Sequence, residues 1–205
     1  MGVLPRGMWL LFRGNFERKL ALLGVDAPED LMARAKGKYR EIIESVEPFG
    51  KEDAFEINIV SAAVCLSLPE RPKAGAVERY YAAAMDSRAT RLFLKRSDYY
   101  TAKYQNRLAR SAEASRRSVN PYSWRFAFVP GPSLDSFDAV FTHCGICHLF
   151  KRLDIQDLTP ALCAYDFAMA ERTGTIFTRK FTLAGGGPHC DCHYQKRTAG
   201  SGRRP

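Results

Sequence analysis

No stretch of this chain is apolar for long enough to cross a bilayer. The longest apolar runs, such as Ile59-Val60-Ser61-Ala62-Ala63-Val64-Cys65-Leu66, fall well short of the roughly 20 residues a spanning helix needs. The opening MGVLPRGMWLLFRG confines its apolar patch to Met8 through Phe12 and shows no small-residue cleavage site, so a secretory signal is not expected. A myristoylation motif is missing too, because Arg6 stands where it requires Ser or Thr. Internal repeats are absent, which excludes solenoids and propellers. Acidic residues are in short supply, 22 against 31 Lys and Arg, and the resulting net charge of +9 raises the question of an anionic partner.

Nucleic acid is not the expected answer. The basic residues concentrate from Arg88 to Arg125 and alternate with Tyr99, Tyr100 and Tyr104, a mixture that superficially suits a nucleic-acid surface. Their spacing, however, is helical: Arg88, Arg91 and Lys95, then Lys103, Arg107 and Arg110. Two solvated helix faces account for them, and no helix-turn-helix, zinc-finger or RNA-recognition signature accompanies them. A small anionic substrate would be attracted by the same charge.

What is present is ordinary globular material, 46% apolar and 26% charged, enough for one domain with a real core. The first half reads as helices. Trp9 to Leu23 is periodic and ends at Gly24. Asp26-Ala27-Pro28-Glu29-Asp30 starts a second helix that runs to about Val46 and stops at Pro48-Phe49-Gly50. Ala54 to Leu68 is apolar on most sides and so reads as a buried helix, and a fourth begins near Ala74. Residues 97–118 are polar but helical in pattern.

At Asn120-Pro121 the character changes. Ser123 to Val129 alternates and is rich in aromatic residues, which predicts a strand closed by Pro130-Gly131-Pro132, and Phe137 to Thr142 reads as a second. Thr159, as N-cap, and Pro160 open a helix to about Arg172. Ile176 to Ala184 predicts a strand, Gly185 to Pro188 a turn, and Cys190 to Gln195 its antiparallel partner. The expected class is therefore α+β, an N-terminal helical half followed by a small antiparallel sheet with an inserted helix. One domain should cover residues 1–195, with 196–205 a basic flexible tail.

Histidine is scarce, and that scarcity is informative. All four, His143, His148, His189 and His193, lie beside cysteines, and five of the six cysteines join them: Cys144, Cys147, Cys163, Cys190 and Cys192. Cys65 sits in the apolar helix as a small hydrophobe. With no export signal, these read as reduced cytoplasmic thiols gathered at a site, not as a disulfide framework.

THCGICHLF, residues 142–150, contains the Cys-x-x-Cys-His of c-type haem attachment, but no export signal or axial methionine in a telling context supports that reading. A thioredoxin-type pair should open a helix after a strand in a parallel setting, and the surroundings read as antiparallel. A structural zinc site on Cys144, Cys147, Cys190 and Cys192 has one knuckle of ordinary spacing. The loop between the two pairs is longer than in a zinc ribbon. A nucleophilic site is the fourth reading, beside these. Cys190 is bracketed by His189 and Asp191 and follows the glycine turn around Gly186, where a ligand can approach the backbone. Asp166 follows Cys163 by one helical turn.

The run LTPALCAYDFAMAERTGTIFTRKFTLAGGGPHCDCHY, residues 158–194, resembles the L-2-amino-thiazoline-4-carboxylic acid hydrolase family. The elements that carry the resemblance are Cys144; Leu158, Pro160, Cys163 and Asp166; Thr182-Leu183-Ala184 with Gly185 to Gly187; and Cys190-Asp191. More faintly, a helix, the Pro48-Phe49-Gly50 turn and an apolar helix match upstream. Cys192 and His193 replace the aromatic and basic residues the family carries after Cys-Asp, and Cys147 and His148 are local additions, as in a diverged biosynthetic member.

The resemblance implies a cytoplasmic enzyme, needing no cofactor or metal, that opens a cyclic isothiourea toward a carbamoyl-cysteine. It places Asp166 or Asp191 against the amidine-like cation. Cys190 acts as nucleophile, or His189 or His193 activates a water, with Cys144 at the same pocket. Arg179 is the candidate for the substrate carboxylate, and Cys163, Gly186 and His193 complete the binding set. The implied partner is a small molecule, not nucleic acid or membrane, with a homo-oligomer allowed. A zinc module and a ligand-sensing domain of the vinyl-reductase type are the alternatives.

Overall fold

The computed structural model describes residues 3–46, 55–95 and 98–198. The class is α+β, as the pattern predicts: helices dominate the first half, and four antiparallel strands follow. No described helix is long and apolar enough to cross a membrane. The chain divides into two compact units, one of residues 1–88, 120–123 and 145–165, the other of 89–119, 124–144 and 166–205.

The first unit is helical. Helix α1 (Val3–Glu17) leads to a 3-10 turn at Leu20–Leu23, which Gly24 ends with φ 75°, a conformation open to glycine. Helix α2 (Pro28–Val46) begins on Pro28 with Glu29 and Asp30 in its first turn, the acidic end the helix dipole favours. Helix α3 (Phe55–Ser67) is apolar on most sides, and Ile59, Val60, Ala62, Ala63 and Val64 are fully buried. The predicted stop at Pro48-Phe49-Gly50 lies outside the described residues. Helix α4 (Ala74–Met85) supplies Tyr80, whose ring meets Phe16 edge-on at 5.6 Å. Buried Tyr39 satisfies its hydroxyl by donating to the Pro5 carbonyl at 2.9 Å.

Two later segments complete this unit. Helix α7 (Gly145–Arg152) starts at a glycine because a Cβ there would lie 1.8 Å from the Tyr122 carbonyl oxygen. Helix α8 (Thr159–Cys163) follows a 3-10 turn at Gln156–Leu158. The expected helix from Thr159 to Arg172 is in fact two, α8 and α9 (Tyr165–Arg172), on either side of Ala164. Thr159 is not the cap: it has helical φ and ψ, Leu158 precedes it as N-cap, and its buried Oγ1 has no hydrogen-bond partner among the described residues.

The second unit carries α5 (Arg88–Lys95, all but its first residue), α6 (Ala102–Arg116), nearly all of α9, and the sheet. Thr101 caps α6 by accepting the Tyr104 amide at 3.3 Å. Lys103, Arg107 and Arg110 lie exposed along it. Strands β1 (Arg125–Pro130), β2 (Ser136–His143), β3 (Thr175–Thr178) and β4 (Cys190–Lys196) are arranged β1-β2-β4-β3, so the last strand runs through the middle. The inner face buries Phe126, Ala139, Phe177, Cys190 and Cys192 against Ala112 of α6 and Ala170 of α9. Phe137 and Tyr194 stack beside them at 4.8 Å.

The strand expected over Ile176 to Ala184 stops at Thr178. Beyond it the amides of Lys180 and Phe181 donate to the Asp191 carboxylate, at 3.0 and 2.6 Å, instead of to a neighbouring strand. The chain then turns on the Thr182 carbonyl, which accepts from Gly185 and Gly187.

Candidate active site

Successive residues of a strand point to opposite faces, and β4 applies that rule to the Cys-Asp-Cys-His cluster. Cys190 and Cys192 face the buried interior with Tyr194, whereas Asp191 and His193 face outward. One run of five residues therefore feeds two chemical environments.

On the inner face, four elements bring Cys144, Asp166, Arg179 and Cys190 together. Asp166 lies in the first turn of α9, and its Oδ2 accepts from Arg179 Nη1 at 2.6 Å. The Arg179 side chain is only 7% exposed and Asp166 35%. Its guanidinium lies 5.4 Å from the Phe177 ring centre and 5.5 Å from that of Phe167, and it also donates to the Cys192 sulfur. Although a third of its surface is open, Asp166 is pushed above the ordinary carboxylate range, because packing around the carboxyl desolvates it more than Arg179 stabilises its charge.

The Cys190 sulfur accepts the Leu183 amide at 3.3 Å. Burial raises its pKa above that of an ordinary thiol; the Leu183 amide opposes this, the Cys144 thiol adds to it, Arg179 opposes it and Asp166 adds to it. Cys144, the residue after β2, is thus an electrostatic neighbour of Cys190. Cys192 is pushed up to about 12, chiefly by burial, and is held as a neutral thiol.

Outward, Asp138 of β2, His193 of β4 and Thr178 of β3 stand in one row, since Asp138 pairs with His193 and His193 with Thr178 in the strand register. Nδ1 of His193 meets Oδ1 of Asp138 at 2.6 Å. With Val129, Val140, Arg179, Lys180 and Asp191 these residues line a cleft of about 420 Å³. Asp191 is held below the usual carboxylate range, first by the Phe181 amide and further by its own amide, that of Lys180 and the His189 ring.

The loop between β3 and β4 is fastened at both ends by these contacts. At its tip Gly186 has φ 81°, and a Cβ on Gly187 would come within 3.0 Å of the Thr182 carbonyl oxygen. His189 packs its ring edge-on against Phe181 at 5.8 Å.

The other sulfur-bearing positions belong to the helical unit. Cys163 ends α8, and Cys147 and His148 lie on α7, where His148 packs on Tyr122 at 5.1 Å. Cys65 is buried and pushed up to about 12 by desolvation. Among the described residues no group of three or more His, Cys, Asp or Glu is placed to hold a metal ion.

A family model described as L-2-amino-thiazoline-4-carboxylic acid hydrolase matches residues 32–194. The chain belongs to that family. No curated protein and no solved structure matches it. The match spans both units of this thiazoline hydrolase relative, including every residue of the inner cluster.

Asp138, Thr178 and Lys180 escaped the sequence reading. Asp138 carried one legible signal, a carboxylate on the alternate face of the strand SFDAVFTH. Its pairing with His193 depends on strand register, which the sequence leaves unstated.

Proposed function

We propose that the inner cluster is the reaction site of a hydrolase that opens a small cyclic isothiourea, of the 2-amino-thiazoline-4-carboxylate type, to a carbamoyl-cysteine. One observation carries the reading: Cys144, Asp166, Arg179 and Cys190, far apart in the chain, are electrostatic neighbours in the folded unit.

The chemistry follows from their protonation states. Cys190 rests as a thiol, so the substrate's own ring nitrogen is the natural acceptor for its proton. The Cys190 Sγ–H adds across the ring C2=N bond: sulfur bonds to C2 and the proton goes to nitrogen. Asp166, paired with Arg179, faces the amidine-like group and favours its cationic form. The ring C–N bond then breaks, and the nitrogen leaves as the amine. Water adds to C2, Cys190 departs as the thiol, and the carbon becomes a carbamoyl group on the former ring sulfur. The sum is substrate plus one water. Arg179 is committed to Asp166 in this scheme and positions it, so the role of carboxylate clamp does not fall to Arg179.

The six cysteines stand as thiols, in keeping with a reducing, cytoplasmic setting. The test is mass spectrometry of the protein incubated with 2-amino-thiazoline-4-carboxylate. Ring opening at C–N is expected to release a primary amine and no new thiol. Binding without turnover would favour the sensor reading instead.

A further inference from the structure

The outer cleft lies on the face of β4 opposite the Cys190 side chain, and Arg179 is the one lining residue it shares with that scheme. We propose that it is a second small-molecule site, built for a zwitterionic α-amino acid. Its lining carries both signs of charge, as such a ligand does. Asp191 is fixed by two backbone amides on Oδ1, so its position is set before any ligand arrives, and Oδ2 takes neither of them. That carboxylate is the ammonium acceptor.

Lys180, opposite in charge, and the His193 ring line the same cleft. The His193 ring is held by Asp138 through Nδ1, and Nε2, on the far side of the ring, takes no part in that contact. With Nδ1 on Asp138, Nε2 is the ring atom left to meet a ligand. The Lys180 ammonium, 5.0 Å from the Phe181 ring centre, is the cation for a ligand carboxylate. Val129 and Val140 supply the apolar surface for a short side chain, and Thr178, exposed at the end of the row, adds a hydroxyl.

The size agrees. A cleft of about 420 Å³ sits at the small end of ligand pockets, near the roughly 300 Å³ lower bound. An anion alone would meet Asp138 and Asp191, and a cation alone would meet Lys180. A ligand carrying both signs finds a partner for each. The proposal does not rest on the hydrolase reading.

The experiment is titration calorimetry of the full chain with L-alanine, alongside propionate and ethylamine, which each keep one of its two charges. Saturable one-site binding of alanine is expected, at least about tenfold tighter than either half-analogue. His193→Gln and Asp191→Asn should each weaken it at least about tenfold. Val140→Trp, which fills the cleft and leaves the charges in place, should abolish it, and Cys190→Ser, on the opposite face, should leave it intact. No saturation by about 10 mM, half-analogues as tight as alanine, indifference to Val140→Trp, or loss on Cys190→Ser would each overturn the proposal.

Discussion

The two faces of β4 use neighbouring residues in opposite electrostatic states. Inward, burial raises the pKa of Cys190, Cys192 and Asp166, and Asp166 is paired with Arg179. Outward, backbone amides hold Asp191 below the usual carboxylate range, and Asp138 holds the His193 ring through Nδ1. A cluster of cysteine, aspartate and histidine in the sequence is thus not one site but two half-sets, sorted by the two-residue period of a strand. The difference shows why local crowding of reactive residue types is a poor guide to what converges in space.

The comparison breaks most sharply at Cys190. Cys190→Ser should lower kcat at least about 10³-fold, because the hydroxyl is far less acidic and a poorer leaving group than the thiol. Circular dichroism should show the fold unchanged. Asp166→Asn should lower kcat/KM about 100-fold and cost roughly 2 kcal/mol by urea titration, since it leaves the buried Arg179 without its carboxylate. That cost is below the usual figure for a wholly buried pair because a third of Asp166 is open to water. Because the folded-state pKa of Asp166 lies above 3.8, the native state binds more protons there. The acid limb of the rate profile should therefore fall above the ordinary aspartate range, and this group's contribution to stability should decline as pH rises through that window.

Asp191 should behave in the opposite sense. Its folded-state pKa is depressed, so its contribution is present above pH 3.8 and is lost as pH falls through the lower, folded value. Asp191→Ala should lower the urea midpoint at pH 7 because two amides lose their acceptor. Asp191→Asn, which keeps a carbonyl oxygen for them, should lower it less. The smallest effect is kinetic. With a thiol reagent at pH 8, the half-buried Cys144, Cys147 and Cys163 should react first, Cys190 later, and Cys65 and Cys192, both pushed up to about 12, last.

Much of the fold was legible because local signals agreed with tertiary demands. Pro28 with its acidic neighbours marks the start of α2, the largely apolar run of α3 is buried, and alternation locates β1 and β2. The failures share a cause. IFTRKFTLA has strand propensity throughout, yet a carboxylate eleven and ten residues later in the chain captures the amides of Lys180 and Phe181 and ends β3 at Thr178. Thr159 has the chemistry of a cap, but the preceding 3-10 turn carries helical geometry through it. Of the site, Asp166, Cys190 and Cys144 were visible as motif positions. The Arg179 partnership with Asp166 and the Asp138–His193 row were not, because both depend on which strands lie side by side.

The central claim, that the inner face carries the reaction through Cys190, is tested most directly by following 2-amino-thiazoline-4-carboxylate with purified wild-type protein and Cys190→Ser, with product identified by mass spectrometry. The wild type should form carbamoyl-cysteine, and the folded serine variant should form it at least about 10³-fold more slowly. Equal rates in the two proteins would contradict the account.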